Sequence, residues 1–167
     1  ALPEPVHRLD RDTSGVVVLA TDRRAAAGLT RVWGEGRVDK AYVAWVAGVP
    51  PAQGLVDAHI GPDRGRRGRM RVVQGGGGRP ACTRFWRLAS TPTAALLWLR
   101  PETGRTHQLR VHCAHLGWPV LGDPWYGGLA ARHPAAARLN LHACALRLPW
   151  PGARDDLEVR APIPEAL

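Results

Sequence analysis

The chain has only three cysteines, Cys82, Cys113 and Cys144, and no two of them are spaced C-x-x-C. That count excludes a disulfide framework and a structural zinc site built from cysteine pairs, and it makes a reducing, cytoplasmic setting the expectation. Lysine is nearly absent: Lys40 is the single lysine among 23 basic residues. Aromatic residues make up 6% of the chain, with one Phe and two Tyr. No apolar run reaches the length of a membrane span, and the first residues lack both the charged start and the apolar stretch of a signal peptide. Neither a membrane protein nor a secreted mini-protein is expected.

What is abundant is arginine. The formal charge is +9 and the sequence pI near 11.1. Such an excess points to a polyanionic partner, with nucleic acid ahead of membrane, because no segment reads as a basic amphipathic helix. At 167 residues the chain is one domain, 1–167, able to bury roughly 70% of the surface its unfolded form exposes. It begins only a few residues before its most distinctive polar segment and without Met. The expectation is an N-terminally truncated domain, with an exposed sheet edge or apolar patch where further strands would pair.

That polar segment, His7-Arg8-Leu9-Asp10-Arg11-Asp12-Thr13-Ser14-Gly15, runs into the apolar stretch Val16–Ala20, which reads as a strand. A carboxylate at a loop tip, flanked by two arginines and anchored by a strand, is placed for chemistry on an anionic ligand. The alternative is turn chemistry, in which Asp10 or Asp12 closes a bend and Thr13 or Ser14 bonds its own backbone. Thr21 or Asp22 can cap a helix to about Trp33 that buries Ala25, Leu29 and Val32. Lys40–Gly48 alternates as a strand with Lys40 and Tyr42 on one face, and Gly54–Ile60 is a short strand.

Five arginines, Arg64, Arg66, Arg67, Arg69 and Arg71, follow within eight residues. This segment reads as a loop too charged and glycine-rich to pack: a solvated connection or a mobile clamp for RNA phosphates. Beyond the glycine run at 75–78, Ala81–Ala89 and Thr93–Arg100 form a hairpin. Thr106 caps a helix that Gly117 stops, with Leu109, Cys113 and Leu116 as its core stripe and His107 and Arg110 sharing another face. Gly122–Gly128 is a tight loop, Leu139–Leu148 a strand, Trp150–Gly152 a turn and Leu157–Ala161 a last strand. The expected fold is α+β, with a mixed, mostly antiparallel central sheet flanked by helices and loops.

Three chemistries compete for these residues. Asp10-Arg11-Asp12-Thr13 approaches the D-x-D-x-T spacing of a haloacid dehalogenase-type phosphotransferase, but that chemistry expects the apolar strand before the first Asp, and here it follows. A zinc base deaminase needs H-x-E with P-C-x-x-C, which is absent. His107, His112, Cys113 and His115 project in several directions from one helix, which speaks against a metal site.

Taken together, the His7–Gly15 segment, Lys40-Ala41-Tyr42, Gly104-Arg105-Thr106-His107-Gln108-Leu109-Arg110-Val111-His112, Gly122-Asp123-Pro124 and Leu141-His142-Ala143 resemble RluA-like pseudouridine synthases in order and spacing. The resemblance spans nearly the whole chain. It implies isomerisation of uridine to pseudouridine in structured ribosomal or transfer RNA, without cofactor or metal, by a monomer with an RNA cleft. It makes Asp10 the catalytic aspartate, Tyr42 the tyrosine that stacks on the target base and Arg110 the basic partner of the aspartate. The Tyr42 hydroxyl is a candidate for helping remove the C5 proton. Arg8 would fill the space of the flipped nucleotide, and Lys40, Arg105, His107 and Leu141 would contact the substrate. The runner-up is a noncatalytic RNA-binding module that keeps the cleft.

Overall fold

The computed structural model describes residues 2–129, 133, 136–150, 153–165 and 167. Its centre is a seven-stranded sheet in which β11 (Asp156–Arg160), β10 (Leu141–Pro149), β4 (Asp39–Ala47), β9 (Ala94–Pro101), β8 (Cys82–Ser90) and β5 (Gln53–Asp57) lie side by side, all antiparallel. The seventh strand, β2 (Ser14–Gly15), pairs parallel with β10, so the sheet is mixed and mostly antiparallel as expected. Two small pairs flank it: β1 (Glu4–Pro5) with β3 (Leu19–Ala20), and β6 (Ile60–Pro62) with β7 (Met70–Val72). No helix among the described residues is long and apolar enough to cross a membrane.

Two helices cover one face. In register, Leu146 lies opposite Lys40, Leu141 opposite Ala44, and Tyr42 opposite Leu99, which puts all of these side chains on the same side of the sheet. On that side α1 (Arg23–Gly34) packs Leu29 and Val32 against Leu146 and Leu148, while α2 (Gln108–His115) packs Leu109 and Cys113 against Ala44, Val46, Leu97 and Leu99. Between the helices β4 presents Lys40 and Tyr42, which the alternating pattern had placed together. α1 starts where the sequence suggested, with Asp22 Oδ1 accepting the Ala25 N–H at 2.8 Å. Of the expected stripe, Leu109 and Cys113 are buried on α2, while Leu116 is its C-cap and only half-buried against the same core.

Several expectations are corrected. The strand over Val16–Ala20 is not continuous: β2 ends at Gly15, β3 begins at Leu19, and Val17 between them is exposed. Gly15 has φ +125°, and a Cβ there would come 2.2 Å from the Ala143 carbonyl oxygen, so the chain turns away from β10 just past that contact. The Val18 N–H is taken by His7 Nε2 instead of by a sheet partner. Helix α2 starts at Gln108 and is capped at His107 rather than at Thr106. That cap residue is in the left-handed region, φ 56°, with no capping bond from its side chain.

A further correction concerns the arginine segment, which is packed at its base. β6 and β7 form a hairpin whose Ile60, with Val111 of α2 and Ala81, makes a small core against which Met70, Val72 and Tyr126 pack. Residues 63–69 close its tip through backbone bonds from Asp63 to Arg69 and between Asp63, Arg66 and Arg69. The expected strand over Gly54–Ile60 is split between β5 and β6. The hairpin β8–β9 and the last strand β11 lie where expected, within a residue or two. The turn expected at 150–152 falls partly outside the described residues.

His112 of α2 is buried, and its Nδ1 lies 2.9 Å from the Thr83 hydroxyl. Burial pushes its imidazole down to about 4 from the usual 6.5. Because the unfolded chain then binds the extra proton first, stability is complete above pH 6.5 and is lost as pH falls toward 4. Urea melts at pH 7, 5.5 and 4 should show a loss on the order of 2–3 kcal/mol that His112→Gln lacks. Equal pH dependence in both proteins would refute this.

Candidate active site

The Asp10 turn is closed by backbone. The Thr13 N–H donates to the Asp10 carbonyl at 3.0 Å, which leaves the Asp10 carboxylate free of turn duty. Past the turn the chain is pinned to β10: the Val16 N–H donates to Ala143, and the Ser14 hydroxyl lies 2.8 Å from His142 Nδ1 and accepts from Arg138. Asp12 is exposed and does not line the cleft beside Asp10, so the two carboxylates of Asp10-Arg11-Asp12 do not converge.

Asp10 opens into a cleft of about 300 Å³ between the two helices. Arg8, Lys40, Tyr42, Arg105, His107 and Leu141 line it, so every residue expected to touch substrate meets at one place. Lys40 donates to the Thr103 carbonyl at 3.4 Å, and burial, with the Arg105 charge, holds its ammonium below the ordinary lysine value. Burial, then the Asp10 charge, pushes the Tyr42 phenol up to about 12. Tyr42 therefore stays protonated at neutral pH and can offer a lone pair and a flat ring, but no phenolate.

Arg110 stands beneath Asp10 with its Nη1 3.5 Å from Asp10 Oδ2. Its stronger tie lies elsewhere. Nε and Nη2 donate to the two carboxylate oxygens of Asp123, both at 2.8 Å, and the side chains are 4% and 0% exposed. Asp123 Oδ1 also accepts the N–H groups of Trp125 and Tyr126. Burial works against both charges, but these hydrogen bonds outweigh it. They hold Arg110 above its usual value and Asp123 below its own. The sequence reading quoted Asp123 within Gly122-Asp123-Pro124 but assigned it no role.

The same loop supplies two aromatic rings. Arg110 lies 5.1 Å from the Tyr126 ring centre and 5.8 Å from that of Trp125, and the His107 ring meets both edge-on. His107 was expected on a helical face beside Arg110. It sits instead at the cap, with Nδ1 2.8 Å from the Tyr126 hydroxyl.

The surplus positive charge is unevenly compensated. On the sheet, Arg84, Arg100, Arg147 and Arg160 each pair with a carboxylate. Among the described residues Arg64, Arg66, Arg67 and Arg71 of the hairpin form no ion pair and are exposed. Arg69 differs from them, being half-buried with its guanidinium 4.9 Å from the Tyr126 ring centre. No group of three or more His, Cys, Asp or Glu among the described residues could hold a metal ion.

The profile of the RNA pseudouridylate synthase family matches residues 2–115, most of the chain and all of the Asp10, Tyr42 and Arg110 positions. This chain belongs to that family. Among its relatives, an uncharacterised RNA pseudouridine synthase of Chloroflexus aurantiacus is 45% identical over 165 residues, covering 99% of this chain and 51% of the relative. The dual-specificity RNA pseudouridine synthase RluA of Escherichia coli is 43% identical over 162 residues, covering 95% and 73%. Human RNA Pseudouridylate Synthase Domain Containing 1 superposes with a TM-score of 0.84 at 35% identity, over 96% of this chain and 69% of the human one. The chain spans about half the length of several curated relatives it matches.

Within this family member the buried Arg110–Asp123 pair invites a direct test. Asp123→Asn leaves Arg110 charged, buried and short of its main partner, which costs about 3–5 kcal/mol. A chemical melt should show that loss, and Asp123→Glu should recover only part of it because the fork geometry is displaced. Unchanged stability in Asp123→Asn would show that Arg110 finds its support elsewhere.

Proposed function

We propose that this protein isomerises uridine to pseudouridine in structured RNA, with Asp10 as the nucleophile. The observation that carries the reading is the cleft lined by Asp10 and Tyr42, with the buried Arg110 guanidinium 3.5 Å from the Asp10 carboxylate. The isomerisation breaks N1–C1′ and forms C5–C1′; the proton leaves C5 and N1 gains one, so atoms and electrons balance within the base. A redox-neutral rearrangement of this kind needs no electron carrier, and neither cofactor nor metal is assigned. The carboxylate supplies the covalent handle that keeps the base from escaping while it rotates. Arg110 steadies that carboxylate from below. Tyr42 offers its ring to the base taken out of its stack, and its un-ionised hydroxyl can accept the C5 proton only in passing.

Ribosomal or transfer RNA is the substrate class we assign, since the relatives include a large-subunit ribosomal pseudouridine synthase and a dual-specificity one. The protein would act in the cytoplasm as a monomer, its cleft built from one chain. Arg8 at the rim would enter the place of the flipped nucleotide, and Lys40, Arg105, His107 and Leu141 would hold base and sugar. Outside the cleft the exposed hairpin arginines would meet phosphates, which give affinity without sequence choice.

Asp10→Asn tests the assignment. Pseudouridine formation on RNA mapped from cells with and without the intact gene should drop below detection, while RNA binding holds or tightens as a negative charge is removed from the cleft. Near-normal turnover would exclude Asp10, and a parent protein that binds RNA yet forms no pseudouridine would favour a noncatalytic binding module. For the hairpin, replacing Arg64, Arg66, Arg67 and Arg71 with Gln should flatten the dependence of log affinity on log salt by roughly 0.7–0.9 for each phosphate no longer neutralised. An unchanged slope would make the hairpin a solvated connection.

A further inference from the structure

Tyr126 joins the arginine hairpin to the Asp10 cleft through one oxygen atom. Its hydroxyl accepts the Met70 N–H at the base of the hairpin, at 2.9 Å, and lies 2.8 Å from His107 Nδ1 on the cleft wall. A phenol has one proton to donate. With Met70 already donating to the oxygen, the acceptor within reach of that proton is His107 Nδ1. A neutral imidazole whose Nδ1 accepts carries its own proton on Nε2, so the hydroxyl selects the tautomer of a ring that lines the cleft.

The ring of Tyr126 is equally constrained. It packs on the small core of Ile60, Ala81 and Val111 beneath the hairpin, with Arg69 4.9 Å from its centre and Arg110 5.1 Å from it. His107 itself is the sole non-glycine residue with positive φ among the described residues, a backbone state held by its surroundings rather than by local preference. The charges acting on its ring are those of Asp10, Arg110, Asp123 and Arg8. Tyr126 and Trp125 close the rest of its environment.

We infer that Tyr126 is a positioning residue for the reaction: its hydroxyl fixes His107 as a neutral Nε2–H donor at the cleft and holds the arginine hairpin in register with Arg110 and Asp10. The reaction half of this inference rests on the synthase reading above; the hydrogen-bond half does not. The oxygen serves one donor from the hairpin and one acceptor from the cleft. Loss of the oxygen therefore uncouples both at once while leaving the ring and its packing in place.

The test is Tyr126→Phe in the whole chain, with three readouts. Imidazole nitrogen shifts in isotope-labelled parent protein, assigned with His107→Gln, should show His107 neutral at pH 7 with its proton on Nε2. In Tyr126→Phe that preference should disappear, the ring should protonate at higher pH, and the Met70 amide should exchange with solvent about tenfold faster. On mapped RNA, kcat should fall about tenfold with KM little changed, and the acid limb of the pH profile should move to higher pH. An Nδ1-protonated His107 in the parent overturns the inference whatever the variant does, including a variant that fails to fold. So does a folded Tyr126→Phe with the parent's tautomer, Met70 exchange or kcat. A parent that makes no pseudouridine defeats the function proposed above and with it the reaction half; the nitrogen shifts and Met70 exchange still decide the bond.

Discussion

The site depends on a buried ion pair that does not include the aspartate proposed as nucleophile. Arg110 and Asp123 are both removed from water, and each oxygen of Asp123 meets one nitrogen of Arg110. A buried pair of this kind gives little net stability, because desolvation cancels much of the attraction, but it is costly to break and fixes geometry closely. Arg110 is thereby held at one distance from Asp10, which it meets with its remaining nitrogen. A guanidinium tied to Asp10 alone would follow the loop; tied to Asp123 it gives the loop a fixed reference.

Around that reference the molecule separates its charges by task. Arg84, Arg100, Arg147 and Arg160 of the sheet are satisfied by neighbouring carboxylates, whereas the outer hairpin arginines are left to solvent. On the function proposed, such a surface would draw the RNA to the hairpin rather than to the paired arginines. The aromatic loop at 125–126 stands between the two regions. There the Tyr126 ring attracts two cations at once, Arg69 at 4.9 Å and Arg110 at 5.1 Å from its centre.

Much of this was legible in the sequence, and the failures share a cause. The hairpin β8–β9, helix α1 and the shared face of Lys40 and Tyr42 follow from local periodicity and capping, which single segments carry. The three residues proposed for the reaction could be picked out as well: Asp10 and Arg110 lie in motifs long enough to be specific, and Tyr42 in the short Lys40-Ala41-Tyr42 that falls between them in order. What local pattern could not carry was long-range pairing. Val16–Ala20 reads as a strand until Ala143 is found against Gly15; Thr106 reads as a cap until Gln108 is seen bonded to Thr83 and Cys82, 25 and 26 residues away. Asp123, though part of the quoted Gly122-Asp123-Pro124, was given no role, and Tyr126 was not singled out, for the same reason: their partners lie on α2 and on the hairpin.

The parallel pairing of β2 with β10 also sets an order of events during synthesis. Ser14 and Gly15 find their strand partners at His142 and Ala143, so the pairing that pins the end of the Asp10 loop waits until the segment that forms β10 has been made. Asp123 and α2 are made earlier. A nascent chain thus holds both members of the Arg110–Asp123 pair before it holds the strand against which the loop bearing Asp10 is pinned.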